Sequence, residues 1–99
     1  MSQHQQPPRL SEKDVSVLQQ LVTRDKYGLE LVAGSDGVLS KNAIYVQLGR
    51  MEEKGLIEGR PEAAPAGAMG PPRRIYKVTG LGQRALSAHE LMLAQWRVA

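Results

Sequence analysis

Apolar residues first recur at helical spacing at Val15, Leu18, Leu21 and Val22, which predicts a helix over about Ser11 to Arg24. Ser11 is a good N-cap, and Asp14 three places later can act as the reciprocal acid of a capping box. A second short apolar run, Leu29 to Ala33, follows Tyr27-Gly28 and stops at the turn formers Gly34-Ser35-Asp36-Gly37. Val38-Leu39 is long enough only for an edge contact. Ser40 can then cap a third helix from Lys41 to Lys54, with Gly55 as its left-handed terminator. Within that helix Ile44, Leu48 and Met51 share one side, continued by Leu56, so this face belongs to the core. Leu56 to Arg60 and Arg73 to Val78 then read as half-buried strands flanking Pro61 to Pro72, which holds four of the six prolines. They form a hairpin with a long tip. Thr79 caps a last helix, in which Ala85, His89, Met92 and Trp96 make one stripe and Leu81, Leu86 and Leu93 widen it.

Helix, helix, helix, two-stranded ribbon, helix is the order of a winged helix-turn-helix domain with an additional C-terminal helix, mainly α with a small β-hairpin. Residues 1–9 are polar, carry Pro7-Pro8 and are expected to be a flexible arm. The winged helix domain is expected over 10–79, its wing tip at about 61–72, and the terminal helix over 80–99. Residues 63–70 carry no charge and are expected to be mobile in the free protein.

A chain of 99 residues supports one modest core, and with no Phe, one Trp and three Tyr that core rests on aliphatic side chains and gains from a partner subunit. The absence of Cys excludes disulfides, thiolate metal sites and thiol nucleophiles. His4 and His89 lie far apart, no cluster has metal-ligand spacing, and the glycines lack the spacing of a phosphate-binding loop. Catalysis, a metal and a cofactor are therefore not expected. The first residues lack a secretion signal and no apolar run could cross a bilayer, so the expected location is cytoplasmic, with no membrane partner. Thirteen basic against ten acidic residues give +3, a mild excess whose placement must decide its meaning.

Three segments carry a family resemblance: Tyr27-Gly28-Leu29-Glu30-Leu31, then Leu39-Ser40 with Tyr45 through Ile57 (YVQLGRMEEKGLI), and finally Arg73 through Thr79 (RRIYKVT) with Gly82. In this order and spacing the chain resembles the PadR family of bacterial transcriptional regulators, in the compact form with a single terminal helix. It departs from the family at Ala43, where Thr is usual, and at Val46, where Pro is frequent; the missing Thr removes one donor to phosphate. The resemblance implies double-stranded DNA as partner. It also implies a twofold dimer in which the terminal helix packs against its mate and against the first helix.

The third helix then becomes a recognition helix. Opposite its core face it displays Asn42, Tyr45, Val46 and Gly49, bounded by Lys41 and Arg50. Asn can pair with adenine, Val can meet a thymine methyl, and Gly49 permits close approach. Ser40, Lys41 and Tyr45 are placed to meet phosphate, although Ser40 caps a helix under any function and an exposed Lys is commonly only solvated. On the ribbon, Arg60, Arg73 and Arg74 are expected to converge at the base of the tip, with Lys77 on the returning strand. Crowded like charges favour a polyanion unless a carboxylate intervenes. The bland alternative pairs Arg73 or Arg74 with an acid of the third helix.

Leu86, His89, Met92, Leu93 and Trp96 are the expected dimer interface, set against an intrachain core role. These expectations describe a repressor acting as a homodimer on an inverted repeat. Two other readings stand beside it: a winged helix adaptor or inhibitor of another DNA-binding protein, and a regulator sensing a small aromatic effector stacked near Trp96.

Overall fold

The computed structural model describes residues 9–62, 67 and 73–98, the side chains of 97 and 98 excepted. Residues 1–8 of the arm and 63–66 and 68–72 of the expected wing tip, hence all but one residue of the segment expected to be mobile, lie outside the described residues. The elements are α1 (Glu12–Thr23), β1 (Lys26–Tyr27), α2 (Gly28–Ala33), α3 (Ile44–Glu53), β2 (Ile57–Glu62), β3 (Arg73–Val78) and α4 (Gly80–Val98). The three strands form an antiparallel sheet in the order β1-β3-β2. This is a winged helix-turn-helix: α2, the turn after it and α3 make the helix-turn-helix, and β2 and β3 make the wing.

Local chemistry accounts for the boundaries. The Ser11 hydroxyl accepts from the Asp14 N–H at 3.1 Å, and the Asp14 carboxylate accepts from the Ser11 N–H at 3.0 Å. The capping box is therefore complete, and it leaves α1 with few unsatisfied donors at its start. Thr79 performs the same service for α4: its hydroxyl accepts from the Gly82 N–H at 3.0 Å and donates to the Gly55 carbonyl at 2.6 Å. It ties the last helix to the end of α3. Gly82 is obligatory there, because a Cβ at that position would stand 2.1 Å from the Leu56 carbonyl oxygen.

One core joins every layer. Val17, Leu18 and Leu21 of α1, Leu31 of α2, Leu39 of the turn, and Ile44, Leu48 and Met51 of α3 are buried with Leu56, Ile57, Tyr76, Ala85 and Leu86. The aliphatic composition makes this core, with Tyr76 its one buried aromatic among the described residues.

Several expectations need correction. Val22, one of the four apolar positions whose spacing predicts α1, is 51% exposed; the buried set Asp14, Val17, Leu18 and Leu21 follows the helical repeat and turns Val22 outward. The third helix starts at Ile44 rather than Lys41, and Lys41, Asn42 and Ala43 form a turn that leads into it. Ser40 caps that turn, its hydroxyl accepting from the Ala43 N–H at 3.2 Å. Pro61 and Glu62 belong to β2 and not to the tip, pairing with Arg74 and Arg73. β2 is an edge strand, so the N–H that Pro61 lacks is not missed by a further strand. β1 was not foreseen at all. Leu86, expected at a subunit interface, is 6% exposed and belongs to the chain's own core. Among the described residues no helix is long and apolar enough to cross a membrane.

Candidate nucleic-acid interface

The burial of Ile44, Leu48 and Met51 fixes the rotation of α3 about its axis, and the opposite face is left to solvent. That face carries Tyr45 and Val46, 54% and 58% exposed, together with Gly49 and, in the turn before the helix, Lys41 and Asn42. A Cβ added at Gly49 would meet nothing within 4 Å, so the middle of the face is flat and open. Arg50 is exposed at its border. The seven residues expected to read or grip DNA are thus continuous along one helix and its leading turn, and largely uncharged at the centre.

Two contacts hold α3 in register with the rest of the helix-turn-helix. Gln47 donates its side-chain amide to the Asp14 carboxylate, linking α3 to the capping box of α1. Tyr45 lies over the start of α2, where a Cβ on Gly28 would stand 2.7 Å from the Tyr45 ring. Gly28 therefore leaves the space that the Tyr45 ring and its hydroxyl occupy beside α2.

The ribbon differs from its expectation. Residues paired across an antiparallel ladder point to the same side, and the side alternates along the strand. Arg74 is opposite Pro61, on the side of Gly59 and the buried Tyr76; Arg60 is opposite Ile75 and Arg73 opposite Glu62, on the other side. The three guanidiniums accordingly do not converge. Carboxylates also intervene. Arg74 meets Glu52 of α3 at 3.3 Å and the Gly59 carbonyl at 3.0 Å, Arg60 meets Asp25 at 3.5 Å, and Lys77 meets Glu58 at 3.4 Å. Arg73 stacks over the Tyr27 ring, 4.0 Å from its centre, and the Tyr27 hydroxyl donates to Glu62. The pairing of Arg74 with an acid of the third helix, the blander of the two readings, is what the structure contains.

Glu52, which the sequence presents only as part of a solvated helix end beside Glu53 and Lys54, is instead tied to the wing. Its carboxylate accepts from the Gly59 N–H at 3.0 Å as well as from Arg74, so it joins the recognition helix to both strands of the wing. Seven residues separate it from Tyr45, which places both on the ribbon-facing flank of α3. Burial pushes the Tyr76 phenol up from its ordinary value of 10.0, against the hydrogen bond and charge of Arg74, which lower it. The phenol beneath the wing thus stays neutral at physiological pH. Nothing local marks Glu52 in the sequence, because its partners are brought to it only by the hairpin.

On α4, one stripe changes character along its length. Ala85 and Leu86 are buried, His89 is half-buried, and beyond them Met92, Leu93 and Trp96 are 48%, 40% and 76% exposed. Gln19 of α1 donates to Glu90 at 3.4 Å near the point where this cover ends.

A winged helix-turn-helix whose α3 turns one face to solvent defines the class. The family profile described as "Transcriptional regulator PadR-like family" matches residues 17–88, most of the chain and every element of the wing and helix-turn-helix. The chain belongs to that family, whose members are transcription regulators rather than enzymes. Solved relatives agree. A PadR family transcriptional regulator from Eggerthella lenta is 31% identical, with 86% of this chain and 71% of that one covered and a TM-score of 0.67. A PadR family transcription regulator from Clostridium difficile is 27% identical, with 89% and 90% covered and a TM-score of 0.66. A PadR-like transcription factor from Bacteroides fragilis, 20% identical over 85% and 82%, shares the fold at a TM-score of 0.73. No curated protein matches the sequence.

Proposed function

We propose that the chain is a sequence-specific double-stranded DNA-binding repressor that acts as a homodimer on an inverted repeat. The observation that carries this reading is the exposed face of α3, where Asn42, Tyr45, Val46 and Gly49 stand free of the core and Lys41 and Arg50 bound them. A surface of this kind suits a major groove: Asn42 offers a bidentate amide to adenine, Val46 a methyl surface to thymine, and Gly49 lets the helix sit deep. Ser40, Lys41 and Tyr45 supply contacts to phosphate. Arg60, Arg73, Arg74 and Lys77 reach phosphate by exchanging their present partners, a small cost because exposed ion pairs are worth about 0–1 kcal/mol each.

The second half of α4 supports the dimer. Met92, Leu93 and Trp96 continue a stripe that the chain's own core covers only as far as Leu86, and His89 lies at the margin. A large apolar side chain gains about 1.5–3 kcal/mol on full burial, so a second copy on this surface is strongly favoured. Residues 10–79 then act as the DNA-binding unit and residues 80–99 as the dimerisation helix. The opposing reading, a protein-binding adaptor, draws on the ion pairs that already satisfy the wing.

Substitution separates the two. Asn42→Ala is expected to cost about 1–3 kcal/mol on the preferred duplex and much less on random DNA, measured by fluorescence anisotropy at fixed salt. Equal losses on both duplexes would remove Asn42 from base readout. Wild-type protein without salt-dependent affinity for any duplex would favour the adaptor.

A further inference from the structure

The wing was the expected seat of unsatisfied positive charge, yet each of its cations Arg60, Arg73, Arg74 and Lys77 is paired or stacked. Cations without carboxylate partners gather elsewhere. On the far side of α3 from the wing, Arg9, Leu10, Ser11, Asp14, Gln47, Arg50 and Lys54 line an open cleft of about 440 Å³ between α3 and the start of α1. Arg9, Arg50 and Lys54 are all exposed, and none takes part in an ion pair found among the described residues. Arg50 and Lys54 stand four residues apart, the spacing at which like charges on a helix repel, and Arg9 adds a third from across the cleft. The cleft also contains the Asp14 carboxylate, but that group is buried and already accepts from the Ser11 N–H and the Gln47 amide. Its oxygens are turned to the protein.

We propose that this cleft is a binding site for the DNA phosphate backbone, so that the recognition helix is gripped on the α1 side by Arg9, Arg50 and Lys54 as well as on the wing side. The inference rests on the reading of α3 as a DNA-recognition helix and deepens it. Three cations that take part in no ion pair among the described residues outnumber the one carboxylate lining the cleft, Asp14, and Arg50 also borders the exposed face of α3, so a strand leaving the groove past Arg50 meets Lys54 and Arg9 next. Neutralising a phosphate here breaks no existing ion pair among the described residues. The same act at Arg60, Arg74 or Lys77 displaces a carboxylate, so the cleft contributes more to non-specific affinity than its distance from the helix start would suggest.

The test is the salt dependence of binding to a fluorescein-labelled duplex of random sequence, for wild type, Arg9→Gln, Lys54→Gln, the double variant, Lys54→Arg and, as a control away from the cleft, Arg84→Gln. Each single cleft variant is expected to lower the slope of log affinity against log salt by about one unit, and the double variant by about two. Lys54→Arg is expected to keep the wild-type slope, and the loss should be the same on every sequence. Thermal midpoints read alongside identify a purely structural effect, since a lysine serving only the end of its helix alters stability and leaves the slope alone. Steep wild-type binding with cleft variants no different from Arg84→Gln would overturn the cleft while leaving the recognition face standing. No salt-dependent wild-type binding would overturn both.

Discussion

Gly49 shows how one residue can serve function against stability. A glycine within a helix costs about 0.5–1 kcal/mol relative to alanine, and here no packing requires it, because an added Cβ would touch nothing. On the proposed DNA-binding reading, its place on the exposed α3 face supplies the reason: the missing side chain would let a base edge come close. Gly49→Ala is accordingly expected to raise unfolding free energy by about 0.5–1 kcal/mol in urea titration while weakening binding to the preferred duplex. A variant that is stabilised and binds unchanged would show that the groove does not approach this point. Glu52 gives a prediction of opposite character. Its contacts to Arg74 and the Gly59 N–H are partly exposed, so Glu52→Gln should cost under about 1 kcal/mol of stability. It also frees Arg74 and removes a negative charge beside the recognition face. Non-specific affinity should therefore rise and its salt slope steepen; weaker binding would mean that Glu52 serves chiefly to hold the wing in place.

Among the elements, those whose signals are local were readable from the chain. The Ser11–Asp14 capping box, the buried row Ile44, Leu48 and Met51, the Thr79 cap and the two long strands all depend on neighbours a few residues away. What escaped depends on distant partners. β1 is two residues long, too short to show any alternation, and exists because Lys26 and Tyr27 pair with Tyr76 and Ile75. The charge state of the wing escaped for the same reason: Arg60 finds Asp25 and Arg74 finds Glu52, carboxylates that the topology delivers. Even the sides of the ribbon needed a register, since Arg73 and Arg74 are adjacent in sequence and on opposite sides of the sheet. α4 is the instructive middle case, because its stripe was legible but the point at which intrachain cover ends, after Leu86, was not. The exposed remainder predicts that Met92→Glu combined with Trp96→Glu converts a dimer to a monomer in sedimentation velocity, with α-helical circular dichroism largely retained. Loss of all helix signal would place these residues in the fold rather than in the interface.

The whole molecule divides its labour between a core built by α1 to α3, the sheet and the start of α4, an exposed α3 face turned away from it, and an apolar end of α4 that suits a second copy. A dimer of this kind places two recognition faces about one turn of DNA apart, and symmetry in the protein demands symmetry in its site. Selection of bound fragments from a pool of random duplexes, using purified wild-type protein at physiological salt, tests this most directly. Enrichment of an inverted repeat with half-sites about one helical turn apart, abolished by Asn42→Ala, is the predicted result. A pool that remains random after repeated rounds, or enriches a single unrepeated half-site, would contradict it.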